Sequence, residues 1–183
     1  MVPGNALVTH VSWWGGWFIE KATGFRATHT ACLYSPDMIA EAVACGVRKL
    51  PLADFLKAPD WVAIVEPLYL PALGGIEVGR KFLDRCVREG RGYDWPAALT
   101  WPLQWIERPG WFQCAELVLA WWDMILRDVW EWPLSVERFY IPCPGDVARL
   151  GKIVWSSDDK RTEVMLTNAV RKHERRLKAA RRR

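Results

Sequence analysis

Cys114 is the residue best placed to do chemistry. It follows the turn-forming run Pro109-Gly110-Trp111-Phe112-Gln113 and starts an apolar stripe of Cys114, Leu117/Val118, Trp121/Trp122 and Ile125. That spacing predicts a helix beginning near Gln113, with the thiol at its N-terminal end. There the helix dipole and the free backbone N–H groups favour thiolate, the nucleophilic form, and the same groups can hold a developing oxyanion. The position also falls on the apolar stripe, so a buried core cysteine is the competing reading. A cysteine hydrolase further needs a base within hydrogen-bond reach of its sulfur. His29, at the start of a strand that then turns apolar, is the candidate. Its competitors are His10, at the end of the first strand without polar company, and His173, in the basic C-terminal run. A satisfied structural histidine is the alternative at His29.

Glu41 interrupts the otherwise apolar strand Ile39–Val43, so its carboxylate faces either solvent or a partner. If the turn centres on Pro36, strand partners have residue numbers totalling about 72. His29 and Glu41 then share a face as diagonal neighbours, about 7–8 Å apart at Cα. Glu41 could there orient the imidazole. A slip of one residue would put the two on opposite faces. Tyr93-Asp94 follow a glycine turn and open a proline-rich aromatic stretch, which also fits a loop with a packed tyrosine. Glu116, two residues past Cys114, lies on another side of the helix and reads as surface or structural.

The elements that must position these groups are short. Ala6–Val11 reads as a first strand and Trp13–Lys21 as a brief helix. Thr28–Ser35 and Met38–Val43 flank Pro36-Asp37 as a β-hairpin. Gly46–Leu50 and Trp61–Val65 read as further strands, the second of them buried. Val78, Phe82 and Cys86 recur every four residues in a helix over 76–89, ended by Gly90. Residues 131–145 read as a proline-rich loop and 161–180 as a last helix. Strands followed by helices give an α+β fold.

Composition bounds the rest. With 183 residues, 51% of them apolar, the chain fits one globular domain over 1–155 plus an extension over 156–183. Residues 171–183 hold eight Lys/Arg against one Glu, so this tail carries +7 of a net +4 and the first 170 residues carry −3. The basic balance belongs to the tail, which weakens a reading of the whole fold as a nucleic-acid binder. The tail is either a solvated run or a patch for nucleic acid, an anionic surface or a protein partner. Five cysteines without CxxC spacing, and three histidines away from them, suggest neither zinc finger nor disulfide framework. No motif calls for a cofactor. The N-terminal stretch lacks a basic n-region, and no segment reaches the roughly 20 apolar residues of a membrane span. The expectation is a reduced cytoplasmic or virion-associated protein without a signal peptide. Thirteen tryptophans remain, six of them between Tyr93 and the second turn of the Cys114 helix. They suggest packing, or a groove with an apolar body and a wet edge.

In this order, these residues resemble a known family. A histidine, an acid on the next strand, Gly-x-Tyr-Asp and an aromatic-flanked cysteine opening a helix are similar to the circularly permuted NlpC-type cysteine hydrolases. This papain-like group includes the YiiX/YaeF-like proteins and, more distantly, lecithin:retinol acyltransferase. The matching stretches are ALVTH, ATGFRATHTACLY, IAEAVACGVRKLPL, GRGYDW and WFQCAELVLAW, with PGDVARL at 144–150 like the segment that closes the family domain. Together they cover about residues 5–155. The resemblance implies Cys114 as nucleophile, His29 as general base and Glu41 as the residue that orients it. Tyr93 stands where such proteins have a tyrosine near the active site, supporting the oxyanion. The implied fold is a small antiparallel sheet packed on the helix that carries the cysteine. Ala115 departs from the pattern, since a small hydroxyl residue is common there. The tryptophan content and basic tail are not family features.

The implied activity is cleavage of an amide in a cell-wall stem peptide, or of a lipid acyl ester or thioester, through an acyl-enzyme on Cys114. Set against it is a non-catalytic virion or assembly component that retains the fold, since phage genomes use it. A third possibility is a tail that binds nucleic acid in a salt-dependent way.

Overall fold

A computed structural model describes residues 3–12, 14–67, 74–100, 110–126 and 142–157. The expected helix over 161–180 and most of the proline-rich segment lie outside them. The elements in chain order are β1 (Ala6–His10), α1 (Trp14–Thr23), β2 (His29–Ser35), β3 (Met38–Val43), β4 (Gly46–Pro51), α2 (Leu52–Phe55) and β5 (Trp61–Pro67). Then follow α3 (Gly75–Arg88), α4 (Trp95–Thr100), α5 (Cys114–Leu126), α6 (Pro144–Arg149) and β6 (Gly151–Ser156). The fold is α+β, built on one six-stranded sheet in the order β4-β3-β2-β1-β5-β6 with every pairing antiparallel.

The period-2 alternation of the strands sends residues to two cores. Ala6 and Val8 of β1, Cys32 of β2, Ala40 of β3 and Ala63 of β5 pack with Leu117, Val118, Trp121 and Ile125 of α5. Leu7, Ala31, Leu33, Ile39 and Ile64 point the other way and pack with Leu52 and Phe55 of α2. The small residues facing α5 let that helix lie close over β2, which places its N-terminus at the start of the strand. Helix α3 packs on α5 through glycines. A methyl group on Gly79 would collide with Trp121 and Ile125, and one on Gly75 with the Ile125 carbonyl.

Two expectations are corrected. Strands do not all precede helices, because β6 returns after α6 to pair with β5 at the sheet edge. Its half-exposed Val154 and Trp155 give the run no alternating pattern that would mark a strand in sequence. Within the expected loop over 131–145, Pro144 and Gly145 instead open α6, where Asp146 accepts from the Cys143 N–H at 2.9 Å. Proline at a first helical position suits its fixed φ and missing N–H. No helix among the described residues is long and apolar enough to cross a membrane.

Candidate active site

His29 opens β2 and Glu41 lies in the middle of β3. Cys32 faces Ala40 and Leu33 faces Ile39, partners whose numbers total 72, before a register shift toward the Pro36-Asp37 turn. This register makes His29 and Glu41 diagonal neighbours on one face, and His29 Nε2 lies 2.7 Å from Glu41 Oε2. Glu41 is 3% exposed, so the solvent-facing alternative is overturned. A buried carboxylate needs compensation, and Arg48 supplies it: Nε and Nη2 donate to Glu41 Oε1 at 2.8 and 2.6 Å. Glu41 and Arg48 are direct cross-strand partners on β3 and β4. Burial acts to raise the Glu41 pKa, but His29 and Arg48 together hold it below the ordinary carboxyl value.

With Nε2 taken by Glu41, Nδ1 of His29 remains for Cys114, the first residue of α5. Burial alone acts to lower the imidazole pKa; hydrogen bonds to Cys114 and Glu41 and their charges outweigh it and push the pKa up to about 10. The thiol shows the reciprocal effect. Burial acts to raise its pKa, yet the His29 hydrogen bond and charge, followed by donors from Thr30, hold it below the ordinary 9.0. Burial without such partners does the opposite at other thiols. It pushes Cys32 and Cys143 well above 9.0 and Cys86 to about 11. Cys114 is as buried as these, at 4% exposure, so its neighbours rather than its depth set it apart.

Helix α5 is capped by residues on both sides of the cysteine. Gln113 Oε1 accepts from the Ala115 N–H at 3.1 Å and lies 3.6 Å from Cys114 Sγ, where it can receive the S–H of the thiol form. Glu116 Oε2 accepts from the Gln113 N–H at 2.7 Å, the reciprocal bond of a capping box. The Gln113 amide donates to the Pro142 carbonyl and ties α5 to the chain entering α6.

A cavity of about 430 Å³ adjoins the pair, with His29, Glu41 and Tyr93 in its wall and Ile19, Phe55 and Trp95 among its apolar lining. Cys114 lies outside this wall and meets the cavity through His29. Tyr93 stacks edge-on with Trp95 at 5.0 Å between ring centres. Burial, then the charges of Cys114, Glu116 and Asp94, raise its phenol pKa, so Tyr93 is a neutral O–H donor.

The structure thus brings together His29, Glu41 and Cys114, with Tyr93 in the adjoining cavity. His173 lies outside the described residues. His10 is elsewhere and is not without polar company: its Nδ1 lies 2.6 Å from Asp60 Oδ1, and Ser12 donates to the other carboxylate oxygen. Pairing of β1 with β5, His10 opposite Trp61, creates that contact. Arg48, Thr30 and Gln113 are the neighbours that sequence reasoning missed. Arg48 was within reach of it, since a hairpin turning at Ala44-Cys45 sets residue 48 opposite residue 41. Compared with known proteins, the chain matches no family model and no curated protein sequence.

Proposed function

We propose that this protein is a cysteine hydrolase of the permuted papain-like, NlpC type, acting through an acyl-enzyme on Cys114. The observation that carries the reading is the chain of contacts Arg48–Glu41–His29–Cys114. It favours a thiolate–imidazolium pair at a helix N-terminus, beside a cavity. The thiolate attacks a carbonyl carbon and forms the C–S bond, and the carbonyl electrons move to oxygen. The backbone N–H of Cys114 and the neutral Tyr93 hydroxyl are the candidate donors to that oxyanion. Collapse breaks the bond to the leaving group, which takes the proton from His29. The imidazole, now a base, takes a proton from the water whose oxygen bonds to the acyl carbon; the C–S bond then breaks, the acid leaves and the thiolate–imidazolium pair returns. Glu41 keeps the imidazole oriented throughout.

Two substrate readings remain. The amide of a cell-wall stem peptide rests on the family resemblance. An acyl ester or thioester of a lipid is additionally supported by the lining from Ile19, Phe55 and Trp95, which suits an apolar acyl group. Incubating the protein and its Cys114→Ala variant with peptidoglycan fragments and acyl esters tests both. Turnover of either class by the wild type, lost in the variant, supports the assignment; turnover that survives in the variant overturns it.

A further inference from the structure

Arg48 carries more donors than Glu41 uses. A guanidinium presents its N–H groups along two edges, each able to grip a pair of oxygens. Nε and Nη2 form the side-on edge, and both donate to Glu41 Oε1, at 2.8 and 2.6 Å. The N–H groups of Nη1 and the outer N–H of Nη2 are left over and form the end-on edge. They have no partner among the described residues. Arg48 stands in the wall of the 430 Å³ cavity with its side chain half exposed. The carboxylates of that wall are already matched. Glu41 has Arg48 on one oxygen and His29 on the other, and Asp54 pairs with Lys57. Leu50, two residues along β4, faces the same side of the sheet as Arg48. It packs on the core group that holds Phe55, and both side chains line the cavity. A guanidinium edge beside apolar side chains is an anchor for the anionic end of an otherwise apolar ligand.

We propose that Arg48 determines specificity: the free edge of its guanidinium binds a carboxylate on the ligand of the cavity, whose apolar part lies along Leu50 and Phe55. A carboxylate suits the site better than a phosphate. The wall holds one guanidinium beside the carboxylates of Glu41 and Asp54, so a second negative charge on the ligand meets repulsion. Reading the ligand as a substrate rests on the hydrolase assignment; the binding itself does not. His29 and Glu41 stand between Arg48 and Cys114 in the chain of contacts, so the recognised carboxylate is a group apart from the scissile carbonyl. The substrate class is then an amide or ester whose acyl or leaving part bears a free acid.

The test is calorimetric titration with octanoate, octanamide and octyl phosphate, which share an alkyl body and differ at the head. It is run for the wild-type chain, Arg48→Met, Glu41→Gln and the double variant. Octanoate should bind the wild type about tenfold or more tighter than octanamide, the scale of one charge-assisted pair, and no weaker than octyl phosphate. Arg48→Met should erase that preference while octanamide binding stays. Glu41→Gln keeps the guanidinium and should keep the preference. In the double variant no Glu41 charge remains to repel octanoate, so the preference should still be absent. If it returns there, its loss in Arg48→Met belongs to the uncovered Glu41 charge and the Arg48 subsite is overturned. Equal binding of octanoate and octanamide by the wild type, or binding of neither, overturns it without any variant. A preference for octyl phosphate overturns the carboxylate. Turnover is read apart from binding. A wild type that prefers octanoate but turns over neither peptidoglycan fragments nor acyl esters overturns the hydrolase reading and leaves the subsite standing. Turnover that is lost in Cys114→Ala, without an octanoate preference in the wild type, overturns the subsite alone.

Discussion

His29 Nε2 and Glu41 Oε2 lie 2.7 Å apart across the β2–β3 hairpin, and this contact fixes which face of the imidazole Cys114 can use. Glu41→Gln would keep a hydrogen-bonding group of the same size while removing the charge. Without that charge, the His29 pKa should drop from about 10 toward its ordinary 6.5, and Cys114 should move up in step. Activity at neutral pH is expected to fall by about 10²-fold, the scale of a general acid–base contribution. Steady-state kinetics beside the wild type check this. Equal activity in Glu41→Gln would remove Glu41 from the site.

The dependence on pH follows from the two opposite shifts. Cys114 is depressed from 9.0, so its thiolate persists as the pH falls until the folded pKa is passed. His29 is raised, so the imidazolium present at low pH is lost as the pH rises through about 10. The ion pair therefore occupies a window that opens below 9 and closes near 10. Folding stability linked to His29 is fully present below pH 6.5 and is lost as the pH climbs through about 10. Activity should accordingly show a broad plateau spanning neutral pH, with an acid limb below the ordinary thiol range. A single rise with its midpoint near 9 would show that no such pair forms.

Arg48 tests the support behind the carboxylate. In Arg48→Met the Glu41 carboxylate stays buried with one partner fewer. Arg48 is half exposed at 51%, so the loss should be less than the several kcal/mol of a fully buried pair, about 1–2 kcal/mol. The sign with pH is defined. Glu41 is held below 4.5, so its contribution is present above that value and disappears as the pH falls through the folded pKa. The stability gap between wild type and Arg48→Met should therefore narrow on acidification. Urea unfolding at neutral pH and near pH 3 would show it. A gap that is the same at both would assign Arg48 to packing.

Much of this site was legible because its spacing is local. Counting from Pro36 gives the total of 72 that holds at Cys32↔Ala40 and Leu33↔Ile39, and with it the His29–Glu41 diagonal; the register shift between Leu33 and Ser35, where Ser35 faces Met38, was not legible. The stripe from Cys114 to Ile125 sets the helix start. Arg48 follows from the next hairpin by the same counting. The His10–Asp60 contact, in contrast, depends on β1 pairing with β5, which no single segment carries. Strand β6 was hidden for another reason: an edge strand with exposed Val154 and Trp155 lacks the alternation that burial imposes.

Gly79 offers a prediction about packing separate from chemistry. A methyl group there would collide with Trp121 and Ile125, two fully buried side chains of the helix that begins at Cys114. Overpacking of this kind costs about 1–3 kcal/mol. In a chain of this length that lowers the unfolding midpoint by about 2–4 °C per kcal/mol. Calorimetry should show Gly79→Ala less stable, while the pH profile of Cys114 alkylation in the folded protein stays put. A displaced profile would mean that the seat of α5 on α3 sets the sulfur position.

The cavity wall separates the two substrate readings. Ala58 lies on an exposed part of the wall, after α2. Ala58→Phe should occupy part of the 430 Å³ volume. If the cavity receives an apolar acyl group, the variant should lose long-chain esters selectively. With each buried CH2 worth about 0.8 kcal/mol, losing two or three such contacts should lower kcat/KM about 10–50-fold. Short acetyl esters, which have no chain to place in that volume, should be hydrolysed at the wild-type rate. If the substrate is a stem-peptide amide lying outside the cavity, Ala58→Phe should leave amide turnover unchanged and show no dependence on acyl length. Paired kcat/KM values for acetyl, octanoyl and peptide substrates decide between them.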